Sequence, residues 1–323
     1  MTAIASLPTT RPRIAFAGLG WIGRQRMQCV VDSGLADVGL LCDPFIDTSN
    51  ATFDALLDSD ADAIVIATPS ALHAEQAIAA LERGKAVFCQ KPLGRNADET
   101  RRVVDAARNN DRLLGVDLSY RFTDAMHAVK AVVDSGELGA IYAVELVFHN
   151  AYGPDKAWFY DLALSGGGCV IDLGIHLVDL ALWVLGFPRA THVTSHLVHH
   201  GGHAVEDFAT ARIDLDCDTS LQLACSWNVS AGRDCVINAT FYGARGAAAM
   251  RNERGSFYDF IAERYDKTRT TTLTTPPDEW SGRAIVDWAA RLACSNRFDP
   301  QIEHIVDVAE ILDGIYRSNA CES

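Results

Sequence analysis

"RIAFAGLGWIGRQRM", Arg13 to Met27, decides the fold. A short apolar run enters Gly18, Gly20 and Gly23 in the pattern G-x-G-x-x-G, and a helical pattern leaves it. Glycines alone say little, since turns are full of them, and a plain strand-turn-helix is the competing reading. The context is the one a dinucleotide loop requires: Gly18 makes a tight turn, Gly20 lets a pyrophosphate approach the backbone, and Gly23 lets helix pack on sheet. N–H groups near Trp21 and Ile22, at the helix start, are then placed to hold phosphates. Twenty residues after Gly23, Asp43 ends the next strand, "VGLLCD". A carboxylate there accepts from both adenosine ribose hydroxyls and repels a 2′-phosphate, which favours NAD over NADP. The alternative for Asp43 is an ordinary turn aspartate before Pro44.

Outward from this loop, β-rich runs alternate with helical ones as far as Gly115, the mark of a parallel sheet built from βαβ units. "AIVIAT", "AVFCQ" and "RLLGVD" are further strands, with helices over "ALHAEQAIAALERG" and "NADETRRVVDAARNN". Only Pro44 to Asp62 separates the second strand from the third. That is room for a loop and one helix, "ATFDALLDSD", so the sheet lacks a strand on one side. Ligands of open parallel sheets bind beyond the carboxyl ends of the strands. Thr68, Pro69 and His73 in "TPSALH" fall there, and so do Gln90 and Lys91 in "CQKPLG", where Pro92 holds the lysine extended. A generic surface lysine and a polar helix-start histidine are the plainer readings of Lys91 and His73.

After Tyr120 the texture changes to an amphipathic helix, "TDAMHAVKAVVDSGELG", then strands and close turns that suit an antiparallel sheet. The expected fold class is α/β: a Rossmann-type parallel sheet followed by an α+β domain with a large, mostly antiparallel open sheet. The domains are residues 1–119, with 1–11 a loose tail, and residues 120–323. "TRTTTLTTPP" reads as a Thr/Pro-rich loop, and "EHIVDVAEILDGIYRS" as a closing helix.

Composition narrows the partners. The chain has 323 residues, 49% hydrophobic and 22% charged, and a net charge of −14, which argues against nucleic acid or an anionic membrane as partner. A small molecule fits better. Nine cysteines stand singly with no C-x-x-C pair, so a reducing, cytoplasmic compartment is expected rather than a disulfide framework. The start, "MTAIASLPTT", lacks a basic region and a long apolar core, and no membrane segment is expected.

The run "GGGCVIDLGIHLVDLALWVLG", Gly166 to Gly186, puts Asp172, His176 and Asp179 into an otherwise apolar segment. On a helix, Asp172 and His176 share a face and Asp179 continues the stripe. Buried ionisable groups cost several kcal/mol unless partnered, so the stripe needs a purpose. One reading is a metal site with His199, His200 and His203 of "HHGGH". No cysteine stands at ligand spacing, and that histidine cluster reads as a polar loop, so no metal is expected.

Taken in order, "GLGWIG", "ATPSALH", "QKP" and "GGGCVIDLGIHLVD" make the chain resemble the Gfo/Idh/MocA oxidoreductases, the family of glucose-fructose oxidoreductase and inositol dehydrogenase. The resemblance implies a Rossmann domain, an open-sheet domain often used for oligomer contacts, and a catalytic lysine, aspartate and histidine at Lys91, Asp172 and His176. It implies NAD-dependent hydride transfer at a secondary alcohol of a sugar, inositol or related polyol. His176 is then the base, Asp172 orients and supports its imidazolium, and Lys91 stabilises alkoxide character. Asp179 is structural. Arg121, His149, Trp158 and Tyr160 are candidates for the sugar pocket. Two departures stand out: Gln90 replaces the usual glutamate, and the link after Asp43 is short. A redox-neutral NAD-using glycosidase and a non-catalytic NAD-binding regulator are the other readings. Apolar residues on more than one strand face, as in "LQLACSW", point to a homodimer or homotetramer.

Overall fold

The structure, a computed structural model, describes residues 11–46 and 51–320. The expected tail before Arg11 lies outside them. Compactness divides the chain into two units: residues up to Gly94 with Asp98–Asp117 and Gly282–Glu303, and Arg95–Ala97 with Leu118–Ser281 and the residues from His304.

In the first unit β1 (Arg13–Ala17), α1 (Trp21–Ser33), β2 (Asp37–Cys42), α2 (Phe53–Leu57), β3 (Ala63–Ile66), α3 (Ser70–Glu82), β4 (Ala86–Cys89), α4 (Ala97–Asn109) and β5 (Leu114–Val116) alternate. The strands pair in parallel in the order β2-β1-β3-β4-β5. Every residue of β3 and β4 is buried, as are the last four of β1. Helices cover both faces of such a sheet, so these strands read as unbroken apolar runs rather than alternating ones. The edge strand β2 has no fully buried residue. Among the described residues no strand lies beyond it, in keeping with the short Pro44–Asp62 link. The order of connection reverses between β1 and β3, the switch point where the crevice of a doubly wound sheet opens.

The second unit holds α5 (Asp124–Asp134), β6 (Ile141–Asn150), α6 (Leu162–Ser165), α7 (Ile175–Leu185), β7 (Ala190–Val198), β8 (Phe208–Leu215), β9 (Ser220–Ser226), β10 (Cys235–Gly243), β11 (Gly246–Asn252), β12 (Phe260–Asp266) and β13 (Arg269–Thr274). Its eight strands run β13-β12-β11-β10-β6-β9-β8-β7, antiparallel except for the β6–β9 pair. Helix α8 (Arg283–Cys294) returns to the first unit, and α9 (His304–Ala320) closes the chain on β7.

Two sequence readings need correction. "TRTTTLTTPP" is not merely a loop: Arg269–Thr274 forms the edge strand β13, where β-branched threonines suit a pleated, half-exposed surface. The run carrying Asp172 and His176 is not one α-helix either. Val170–Gly174 is a π turn, in which Ile175 N–H reaches back to Val170 O, and α7 follows it. Leu162–Leu185 is long and apolar enough to cross a membrane on length and composition, yet 83% of its most apolar window is buried inside the protein, the pattern of a core helix.

Candidate functional site

The first unit collects its candidates at the carboxyl edge of the sheet. Gly18 has φ +88°, and a Cβ there would lie 2.4 Å from Ala67 O; one on Gly23 would lie 2.0 Å from Gly18 O. No side chain can be added without pushing the loop off the sheet. Gly20 caps α1 without a side-chain bond, and the first turn carries no acidic residue. The positive end of the helix, at Trp21 and Ile22, is therefore left for an external anion. These observations fit a dinucleotide cradle. Asp43 Oδ2 accepts from Leu19 N at 2.6 Å and Oδ1 from Phe45 N at 2.9 Å, which ties the end of β2 to the glycine loop. A carboxylate has acceptor capacity for more than two donors, so ribose hydroxyls remain within its means.

His73 has a different place from the one its position in sequence suggests. It is 1% exposed, and its ring nitrogens lie 2.7 Å from Pro92 O and 2.7 Å from Thr68 O. Burial lowers its pKa despite both carbonyls. Both nitrogens face backbone carbonyls, and the one that carries the proton donates to its carbonyl, so the ring packs between the loop after β3 and the loop that carries Lys91. Pro69 starts α3, and Thr68 Oγ1 donates to Gln76 Oε1 at 2.7 Å. Gln90 and Lys91 follow β4 directly and are half-buried.

The second unit builds a separate constellation around the π turn. Asp172 is half-buried, and its Oδ2 accepts from Trp227 Nε1 at 3.0 Å. His176 is 8% exposed; its ring stands edge-on to Tyr120, with centroids 4.8 Å apart. Tyr120 itself sits among Phe148, Phe260 and Trp280, and burial pushes its phenol well above the usual range. An imidazole wedged this way has little freedom to rotate. Asp179 is buried and takes both Nε and Nη2 of Arg121. Burial raises its carboxyl above the usual range, and the guanidinium opposes the rise. Arg121 is thus held by Asp179 of α7, which also accounts for that aspartate.

Tyr160 donates to Pro154 O at 3.0 Å and packs against His203 and Trp227; Trp158 stacks on Phe159. His149 Nδ1 lies 2.7 Å from Ser226 Oγ because β6 pairs with β9 in a register that sets these two residues side by side. Burial lowers its pKa. Asp172, Trp227, Tyr160 and His203 therefore form one linked group. His200 pairs instead with Asp207, and among the described residues no three His, Cys, Asp or Glu side chains are grouped to hold a metal.

Sequence reasoning missed two supports. Trp227 lies 55 positions from the aspartate it serves. Glu206, 2% exposed, accepts from Gly168 N, Val170 N and Tyr316 Oη at 2.9–3.0 Å, while its own carbonyl takes Cys169 N. A Cβ on Gly168 would meet Glu206 O at 1.8 Å, and one on Gly167 would meet Tyr316 Oη at 2.0 Å. Gly167 and Gly168 of "GGGC" are explained by this clamp, which anchors the start of the π turn, and Gly166 by its φ of +84°. The acidic pair in "AVEDFAT" was the only signal, and it says nothing of burial.

Residues 12–118 match the family profile described as oxidoreductase family, NAD-binding Rossmann fold, and residues 126–249 match the GFO/IDH/MocA C-terminal domain. The chain is 29% identical over 211 residues to D-glucoside 3-dehydrogenase of Escherichia coli, covering 60% of each chain. It is 30% identical over 200 residues to inositol 2-dehydrogenase 2 of Saccharopolyspora erythraea, covering 61% of this chain and 57% of that one. The matched segments thus span less than two thirds of these curated relatives. Levoglucosan dehydrogenase in complex with NADH superposes with a TM-score of 0.83 at 21% identity, covering 97% of this chain and 98% of that one, a likeness of fold.

Proposed function

Because the chain belongs to the Gfo/Idh/MocA oxidoreductases, we propose that it is an NAD-dependent dehydrogenase that oxidises a secondary alcohol of a sugar, inositol or related polyol. The observation that carries this reading is the pairing, in one chain, of a helix-end cradle with a buried, aromatic-wedged histidine that follows the Trp227-held aspartate of the π turn by four residues. A module that only binds a dinucleotide has no use for the second. The D-glucoside and inositol dehydrogenases among its relatives support the substrate class.

NAD, when bound, supplies the hydride acceptor. The chain's own residues supply the rest: His176 takes the hydroxyl proton as the carbon–hydrogen bond breaks, and Asp172 supports the resulting imidazolium. Lys91 steadies negative charge on the substrate oxygen. The dinucleotide is assigned to the first unit, and the substrate-facing roles other than that of Lys91 to residues of the second. Trp158, Tyr160 and His149 are proposed as sugar contacts, since aromatic faces and polar edges suit such ligands. The test is absorbance at the NADH band on incubation with NAD and a panel of sugars and polyols. Hydrolysis of a glycoside without net NADH would point to the redox-neutral chemistry instead.

Asp43 is proposed to select NAD. Asp43→Ala is expected to narrow the gap between NAD and NADP affinity by removing repulsion of a 2′-phosphate. Binding titrations of both variants with both dinucleotides check this, and a clear NADP preference in the unchanged protein would reject it.

Assembly as a homodimer or homotetramer is proposed through the outer face of the large sheet. In β9, Leu221, Leu223 and Cys225 point inward, whereas Gln222 and Ala224 point outward beside a hollow of about 510 Å³ lined also by Glu145, Val147 and Arg212. Light scattering at micromolar concentration is expected to give a dimer or tetramer; monomer alone would reject the proposal. A reducing, cytoplasmic compartment is proposed as well: the eight cysteines among the described residues are free thiols, Cys169 and Cys225 lying 3.8 Å apart without a disulfide.

A further inference from the structure

Gln90 stands where the resemblance leads one to expect a glutamate, and its surroundings give a reason. Its backbone N–H donates to Ile66 O at 2.8 Å, which fixes it at the carboxyl edge of the sheet. Its side-chain Nε2 donates to Asp117 Oδ2. Arg26, on α1, donates through Nε to that same oxygen at 2.5 Å. Arg26 and Asp117 are 4% and 2% exposed, a buried ion pair directly behind the amide. Asp117 is held in turn by its own N–H, which donates to Cys89 O at 2.9 Å.

The two ends of a glutamine amide differ only in chemistry, so a neighbour that can do one thing decides which end it meets. An ionised carboxylate only accepts. Turned the other way, the amide would set its oxygen against Asp117 and leave two acceptors facing each other in a buried place, at a cost comparable to a lost hydrogen bond. Its oxygen, Oε1, is therefore the end directed away from Asp117.

We propose that Asp117, its charge balanced by Arg26, locks the Gln90 amide so that Oε1 is offered as a neutral acceptor to a hydroxyl or amide donor of the bound dinucleotide. The proposal rests on the reading of the first unit as an NAD site. It makes Gln90 a cofactor contact and Asp117 the residue that positions it. A glutamate at this position would set two carboxylates against one guanidinium, and like charges sharing a site do not both ionise readily. The glutamine keeps an acceptor oxygen without the second charge.

The test is NAD affinity by calorimetric titration, with the melting temperature of each NAD-free variant measured alongside. Gln90→Leu is expected to weaken NAD about tenfold, the effect of one hydrogen bond lost to the ligand, and to lower the melting temperature modestly, because the buried Asp117 also loses a donor. Gln90→Glu is expected to weaken NAD and to lower the melting temperature, and adding Asp117→Asn to it should recover both, because the opposing charge is then gone. Asp117→Asn alone should weaken NAD by releasing the amide to rotate. NAD binding by Gln90→Leu equal to that of the unchanged protein would overturn the proposal, as would a charge swap that recovers neither property. If the unchanged protein bound neither NAD nor NADP, the cofactor reading itself would fall, which the first titration distinguishes. Should the charge variants fail to fold, Gln90→Leu still decides the question.

Discussion

His176→Ala is expected to lower turnover by roughly a hundredfold or more on a confirmed substrate, the usual share of general acid-base catalysis. NAD affinity should barely change, since the imidazole belongs to the substrate's side of the reaction. In the direction of alcohol oxidation, activity should rise along a single basic limb, and that limb should vanish in the variant. Lys91→Ala should cost a similar factor by removing the cation that steadies the substrate oxygen. Asp172→Asn provides the finer cut. The amide keeps an oxygen for Trp227 Nε1, so packing is preserved while support for the imidazolium weakens. Near-normal turnover in both alanine variants would mean that the Asp172–His176 stripe is structural and that the dehydrogenase mechanism assigned to it is wrong.

The second large effect is on stability. Glu206→Ala strands two backbone N–H groups and the Tyr316 hydroxyl where water does not reach, and is expected to cost on the order of 3–5 kcal/mol. Burial already raises the Glu206 carboxyl above its usual range despite those bonds. Tyr316→Phe removes one bond only and should cost about 1 kcal/mol. Urea unfolding measures both. Because these groups begin the turn that carries Asp172 and leads into α7 with His176, Tyr316→Phe should reduce kcat more than it changes KM. An unfolding free energy for Glu206→Ala within about 1 kcal/mol of the unchanged protein would show that the clamp does not hold the turn.

What could be read from sequence was local. The glycine loop is legible because strand, glycines and helix stand in succession, and Gly18 and Gly23 each answer to a close approach. The first sheet is legible because strands buried on both faces leave continuous apolar runs. The Asp172–His176 stripe showed itself against an apolar background, yet the π turn beneath Asp172 did not, since it depends on where Ile175 N–H finds its acceptor. The threonines of β13 looked like a loop because their strand character is supplied by β12, their partner. Trp227, Glu206 and Asp117 were hidden for the same reason: each acts on a residue brought near only by folding.

The return of α8 has a consequence for how the protein is made. Trp288 on that helix packs against Phe88 of β4, and a Cβ on Gly115 of β5 would meet the same indole at 2.5 Å. The first unit is thus completed by residues translated long after its last strand. At roughly 5–20 residues per second, a ribosome needs on the order of ten seconds or more between β5 and α8. During that interval the nascent sheet presents the Phe88 and Gly115 surface without its cover. A fragment ending near residue 118 would stay in that condition permanently, whereas one that carries Gly282–Glu303 on a short linker would have its cover from the start.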